Sequence, residues 1–184
     1  MGQDHGARPS GICDAECVNQ FKPPNEIWSK AANMDLILWR HAEAVDGPDD
    51  MKRELTRKGQ KQARHIAAWL LPRLPETTRV IASPAERSLQ TASALTHAFI
   101  VNGSIAPGAP AKAVLNAAGW PDAEGAVVVV GHQPTLGEAA ALLLTRNPLP
   151  WSIKKAGVWW FRRRDRDGAR QTVLRAVISP DLLR

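Results

Sequence analysis

Two arginines and two histidines stand just past the ends of short apolar runs. Arg40-His41 follows Asp35-Leu36-Ile37-Leu38-Trp39, Arg87 follows Arg79-Val80-Ile81-Ala82 and Ser83-Pro84, and His132 follows Val127-Val128-Val129-Val130-Gly131. Guanidinium forks pair with phosphate oxygens in bidentate fashion. Imidazole is available uncharged near neutral pH, as a nucleophile or as a partner for charge developing at phosphorus. A pocket that gathers Arg40, His41, Arg87 and His132 therefore suits a phosphoryl group. Singly, each of these residues is more often a surface or capping residue. Their convergence carries the weight.

The convergence depends on the elements that hold them. Short apolar runs of this kind are expected for buried strands, and they alternate with helical patterns. One helix opens near Thr56, with Ala63, Ile66, Ala67, Leu70 and Leu71 on one face and Pro72 and Pro75 closing it. Ser83-Pro84-Ala85-Glu86 reads as a capping box, opening a helix that continues through Leu89, Ala92 and Leu95 towards Phe99. A loop over 102–110 and a short helix over 111–118 follow. Thr135-Leu136-Gly137-Glu138 reads as a second capping box before the apolar helix 139–144. Two strands, about 158–162 and 171–178, end the chain. Strands alternating with helices predict an α/β domain with a mainly parallel central sheet flanked by helices in three layers. In such sheets ligands bind beyond the carboxyl ends of the strands. There the helix N-termini after Ser83 and His132 also favour anions.

The motifs resemble those of a known family. Leu38-Trp39-Arg40-His41-Ala42-Glu43 resembles the Arg-His-Gly signature of the histidine phosphatase superfamily. Ser83 to Ala92 is similar to its second phosphate-binding segment, and Val130 to Gly137 to its second-histidine segment. The turn Leu55-Thr56-Arg57-Lys58-Gly59-Gln60 is also similar, and the resemblance runs from Met34 to the C-terminus. The short length is nearest to the small SixA-type phosphohistidine phosphatases. The resemblance implies a phosphoglycerate-mutase-like fold and a two-step phosphoryl transfer through a phosphohistidine on His41. It further implies that Arg40, Arg87 and His132 bind the equatorial oxygens, with no cofactor and no metal. Ala42 departs from the signature, where glycine is usual; its methyl group tightens the approach of the backbone to a phosphate.

Larger members of that superfamily present a carboxylic acid that protonates an alcohol leaving group. Here the region between Phe99 and Ala126 holds only Asp122 and Glu124, while Glu43, Asp46, Asp49 and Asp50 lie near the site in sequence. Glu86 and Glu138 are explained by the capping boxes. No carboxylate stands out as the acid, which favours a labile P–N bond and hence phosphohistidine on a partner protein. A small phosphorylated metabolite as substrate is the alternative, requiring a loop carboxylate as acid. A non-catalytic phosphate-binding module is a third reading, against which His41 argues, since binding alone needs only the arginines.

The formal net charge is +6, and from Trp151 onward nine Lys and Arg stand against three Asp, which accounts for all of it. That balance brings nucleic acid into consideration. However, Arg162-Arg163-Arg164-Asp165-Arg166 runs into Asp167-Gly168, a turn signal, so the cluster reads as the solvated tip of a hairpin. Neither a nucleic-acid nor a membrane partner is expected, and no apolar run approaches the length of a membrane span. A soluble, cytoplasmic protein is expected. Residues 1–33 lack sustained periodicity and carry Lys22-Pro23-Pro24-Asn25. They read as an extension preceding a domain of residues 34–184, or as the product of too early a start codon. Cys13, Cys17 and His5 in that stretch fall short of a tetrahedral ligand set. His65 and His97 read as surface positions of helices. Trp159 and Trp160, adjacent in a strand, must face opposite sides of the sheet.

Overall fold

The plainest apolar runs lie at the centre of the sheet. In the computed structural model, which describes Met1 and residues 33–183, the latter belong to one compact unit spanning residues 31–184. The expected extension, with Cys13, Cys17 and His5, lies outside the described residues apart from Met1 and Asn33. Six strands, β1 (Met34–Arg40), β2 (Arg79–Ala82), β3 (Ile100–Val101), β4 (Gly125–Gly131), β5 (Val158–Arg166) and β6 (Ala169–Ile178), form one sheet in the order β3-β2-β4-β1-β5-β6. The pairs β1·β4, β2·β4 and β2·β3 are parallel, and β1·β5 and β5·β6 antiparallel. This is the expected α/β domain with a mainly parallel sheet.

The alternation of side chains on the strands builds two cores. Ile37, Trp39, Val80, Ala82, Val128, Val130, Val158 and Trp160 face α1 (Arg57–Leu70) and α2 (Glu86–Ser93). Leu36, Leu38, Ile81, Val127, Val129 and Phe161 face α3 (Ala111–Ala118) and α4 (Thr135–Thr145). Trp159 and Trp160 divide between these faces as the strand geometry requires. The neighbours β1 and β4 send their following helices to opposite faces, which opens a crevice at their C-terminal ends.

Thr56 caps α1 through its hydroxyl, which accepts from Gly59 N at 2.9 Å. The helix start sits hard against the segment after β1, since a Cβ on Gly59 would fall 1.9 Å from the Glu43 carbonyl oxygen. Only glycine permits that approach. The helix passes into a 3-10 turn over Leu71–Arg73 that contains Pro72.

Several local expectations are corrected. Neither capping box forms. α2 begins at Glu86 after Ala85 with no side-chain cap, and Glu86 accepts from Gln90 Nε2 at 2.9 Å instead. α4 begins at Thr135 after Pro134, also without a side-chain cap, and the Thr135 hydroxyl donates to Ala109 O. Ser83 lies two residues before the N-cap Ala85, and Thr135 is already helical, so neither hydroxyl stands at a cap position. α2 stops at Ser93, short of the expected Phe99, and Ile100–Val101 forms an edge strand β3 for which no expectation was drawn, paired with Ile81–Ala82.

The basic cluster is only partly a solvated tip. Arg162 pairs with Asp35 through two hydrogen bonds of 2.8 and 2.6 Å, and Arg163 is buried and donates to Pro121 O. Arg164 and Arg166 are exposed, and Asp167-Gly168 makes the turn with φ of 53° and 73°. His65 and His97 are exposed.

Candidate active site

The site lies past the C-terminal ends of β1, β2 and β4. The parallel ladder continues beyond the strands, with His41 N donating to Gly131 O and Ser83 N to Val130 O, each at 3.0 Å. The backbone on which His41, Ser83 and His132 stand is thus fixed by the sheet itself.

The rings of His41 and His132 lie 5.1 Å apart, tilted by 52°. His41 Nδ1 sits 2.8 Å from Ala42 O. A carbonyl only accepts, so Nδ1 carries the proton and Nε2 keeps its lone pair. That lone pair faces Arg87 Nε at 3.3 Å. On His132, Nδ1 lies 3.3 Å from Arg87 Nη2, a donor, so Nδ1 is the acceptor and Nε2 carries the proton. His132 Nε2–H then donates to Ser83 Oγ at 2.7 Å, with Ser88 Oγ at 3.5 Å.

Both rings are held uncharged. Burial pushes His41 down from 6.5 to about 4, helped by the charges of Arg87 and Arg40. Burial likewise pushes His132 down to about 3, with His41 and Arg87 adding to it. Arg87 is the hub. Its side chain is 5% exposed, and besides the two histidines it donates through Nη2 to Asp50 Oδ2 at 2.9 Å and through Nη1 to the Asp50 carbonyl oxygen.

Arg40 reaches the site by charge rather than by hydrogen bond to the other three. Its Nη1 donates to Ile153 O at 2.7 Å, and its buried Nε has no acceptor among the described residues. Removal from water makes its guanidinium less basic than usual. The segment that anchors it is itself held by Gln133, whose amide donates to Trp151 O and accepts from Ile153 N. Farther along, Trp39 Nε1 donates to Ala156 O, Ala156 N to His41 O and Arg40 N to Gly157 O. Residues 151–157 therefore strap the Arg40-His41 pair in place.

The structure brings His41, Arg87 and His132 into mutual contact and sets Arg40 beside them. Sequence reasoning missed Ser83, which it spent on a cap, and Gln133. It named Asp50 only as one loop carboxylate among several. A hydroxyl at the end of a strand that neighbours the His132 strand was the available signal for Ser83.

An uncharged histidine with a free lone pair, facing a buried guanidinium at a strand-end crevice, is chemically suited to phosphoryl transfer. The chain belongs to the histidine phosphatase superfamily and is a phosphatase of that superfamily. The model of the histidine phosphatase superfamily, branch 1, matches residues 36–105. An uncharacterized protein of Picosynechococcus is 32% identical over 142 residues, covering 70% of this chain and 85% of that protein. Among solved structures, the protein histidine phosphatase SixA complexed with tungstate has a TM-score of 0.68 at 24% identity, covering 82% of this chain and all of that one. A putative phosphohistidine phosphatase SixA from Nakamurella multipartita has a TM-score of 0.65 at 26% identity, covering 82% and 98%. A phosphoserine phosphatase from Entamoeba histolytica shares the fold at a TM-score of 0.58 and 18% identity, covering 82% and 99%. Among the described residues no helix is long and apolar enough to cross a membrane.

Proposed function

We propose that the protein hydrolyses phosphohistidine on a partner protein in the cytoplasm, through a phosphohistidine intermediate on His41. The carrying observation is the tautomer of His41, whose Nδ1 is tied to Ala42 O at 2.8 Å and whose Nε2 lone pair is left facing Arg87. Nε2 attacks phosphorus in line and the bond to the leaving nitrogen breaks. Water then cleaves the His41 phosphoryl group. Arg87 and Arg40 hold the phosphoryl oxygens, Arg40 through the Nε that has no acceptor among the described residues. A bound phosphoryl dianion offsets the field of the arginines, and His132 Nδ1 then takes a proton and donates to the third oxygen. No cofactor or metal is required, because the arginines supply the positive charge.

The similarity to SixA structures supports the substrate, as does the engagement by basic side chains of the carboxylates nearest His41 in sequence, among the described residues. Glu43 is held by Lys58 and Thr56, Asp49 by Lys52 and Met51 N, and Asp46 by Arg53. Turnover of a phosphohistidine protein against a panel of phosphate esters tests the reading, together with acid quenching of the wild type and His41→Ala. Acid-labile phosphate on the wild type alone, and a higher kcat/KM for the phosphohistidine protein, are expected. A sugar phosphate turned over as well or better would refute the substrate, and undiminished turnover by His41→Ala the nucleophile.

A further inference from the structure

Of the four carboxylates over residues 43–50, only Asp50 touches a residue that in turn touches His41. It opens a 3-10 turn, Asp50–Lys52, whose preceding residue Asp49 caps the turn by accepting from Met51 N. One oxygen of Asp50 lies on Arg87 Nη2 at 2.9 Å and the other on Arg53 Nη1 at 3.0 Å. The side chain is nonetheless 53% exposed, against 5% for Arg87. The carboxylate thus stands between the buried guanidinium and solvent.

We propose that Asp50 determines substrate class, as an anionic acceptor for the ring N–H of a phosphorylated imidazole, so that the site selects phosphoramidates with a protonated leaving group over phosphate esters. The inference deepens the proposed function and rests on it. A phosphoryl group entering the site competes with Asp50 for Arg87 Nη2, which frees that oxygen to meet the leaving group. Arg87, chiefly, and Arg53 hold the Asp50 carboxyl below the usual carboxylate range, so it enters ionised and has no proton to give an alkoxide. A phosphorylated imidazole needs none from the enzyme. Its ring nitrogen distal to phosphorus already carries a proton, and Asp50 favours that cation by accepting the N–H. His41 Nε2 forms the new N–P bond. The pair of the old P–N bond returns to the leaving ring, which departs as neutral imidazole with its proton in place. Esters gain nothing from such a carboxylate, and those with a second negative charge near phosphorus are repelled by it.

The test compares the full-length wild type with Asp50→Asn and Asp50→Ala on N-phosphoimidazole and p-nitrophenyl phosphate, and measures the affinity of inorganic phosphate by calorimetry. The ratio of kcat/KM for N-phosphoimidazole over p-nitrophenyl phosphate should fall about tenfold or more in both variants, as a charge-assisted bond is lost. Phosphate should bind severalfold tighter, because its competitor for Arg87 is gone. Equal changes for both substrates would mean that Asp50 only holds Arg87 in place, and would overturn the inference while leaving the proposed function standing. A wild type that binds phosphate yet cleaves neither substrate would instead defeat the proposed function, and the inference with it.

Discussion

Ser83 Oγ accepts a hydrogen bond of 2.7 Å from His132 Nε2, across a gap of 49 residues in sequence. That bond sets which nitrogen of His132 carries the proton, and therefore that the lone pair of Nδ1 points at Arg87. Ser83→Ala should leave the fold intact, because α2 takes no side-chain cap from Ser83. It should lower kcat/KM by about tenfold, the equivalent of one buried hydrogen bond at roughly 1 kcal/mol or slightly more. Steady-state kinetics, with the variant still folding cooperatively and losing only about 1–3 kcal/mol of stability, would agree. Full activity would show that the tautomer is set without Ser83.

Gly137 lies where α4 meets the strap over residues 151–157. A Cβ there would fall 1.7 Å from Trp151 O and 2.5 Å from Gln133 Nε2. Gly137→Ala must push the segment outward and loosen Ile153 O from Arg40. A stability loss of about 1–3 kcal/mol is expected, with a rise in KM for the phosphorylated substrate. Urea unfolding and kinetics check the two halves, and an unchanged midpoint would mean that the contact yields freely.

The histidines make stability depend on pH in a definite sense. Both bind protons less readily in the folded chain, His41 at about 4 and His132 at about 3 against an ordinary 6.5. Between those values the unfolded chain holds more protons than the folded one, so stability rises with pH. It is fully present above 6.5 and is lost progressively as pH falls through that window, by a few kcal/mol in all. Urea midpoints measured from pH 6.5 down to 4 should fall for the wild type and fall less for the double variant His41→Asn, His132→Asn. Parallel curves would place the acid sensitivity elsewhere.

Activity should survive exhaustive chelation. A hard cation asks for a set of oxygen ligands. The carboxylate that reaches this site, Asp50, is already engaged by Arg87 and Arg53. Turnover after prolonged dialysis against EDTA is the measurement. Loss of activity that magnesium or zinc restores would contradict a pocket in which arginines carry the charge.

The sequence by itself determined the central strands β1, β2 and β4 and the residues at their carboxyl ends. Val127 to Val130 and Leu36 to Trp39 are apolar on both faces, which only a strand covered on both sides can satisfy, and Arg40, His41, Ser83, Arg87, Gly131 and His132 must then fall at one edge. What only the tertiary structure decided is which polar atom meets which. Ser83 and Thr135 look like caps in sequence because a hydroxyl three residues ahead of a glutamate is locally sufficient for one. In the folded chain the helices begin at Glu86 and Thr135, which leaves neither hydroxyl at a cap position, and the two hydroxyls bond partners 49 and 26 residues away. The same holds for Asp50 among its neighbouring carboxylates. Local pattern records what a side chain can bond, but a hydrogen bond is won at separations near 3 Å, and only the packing of β1, β2 and β4 side by side sets those separations.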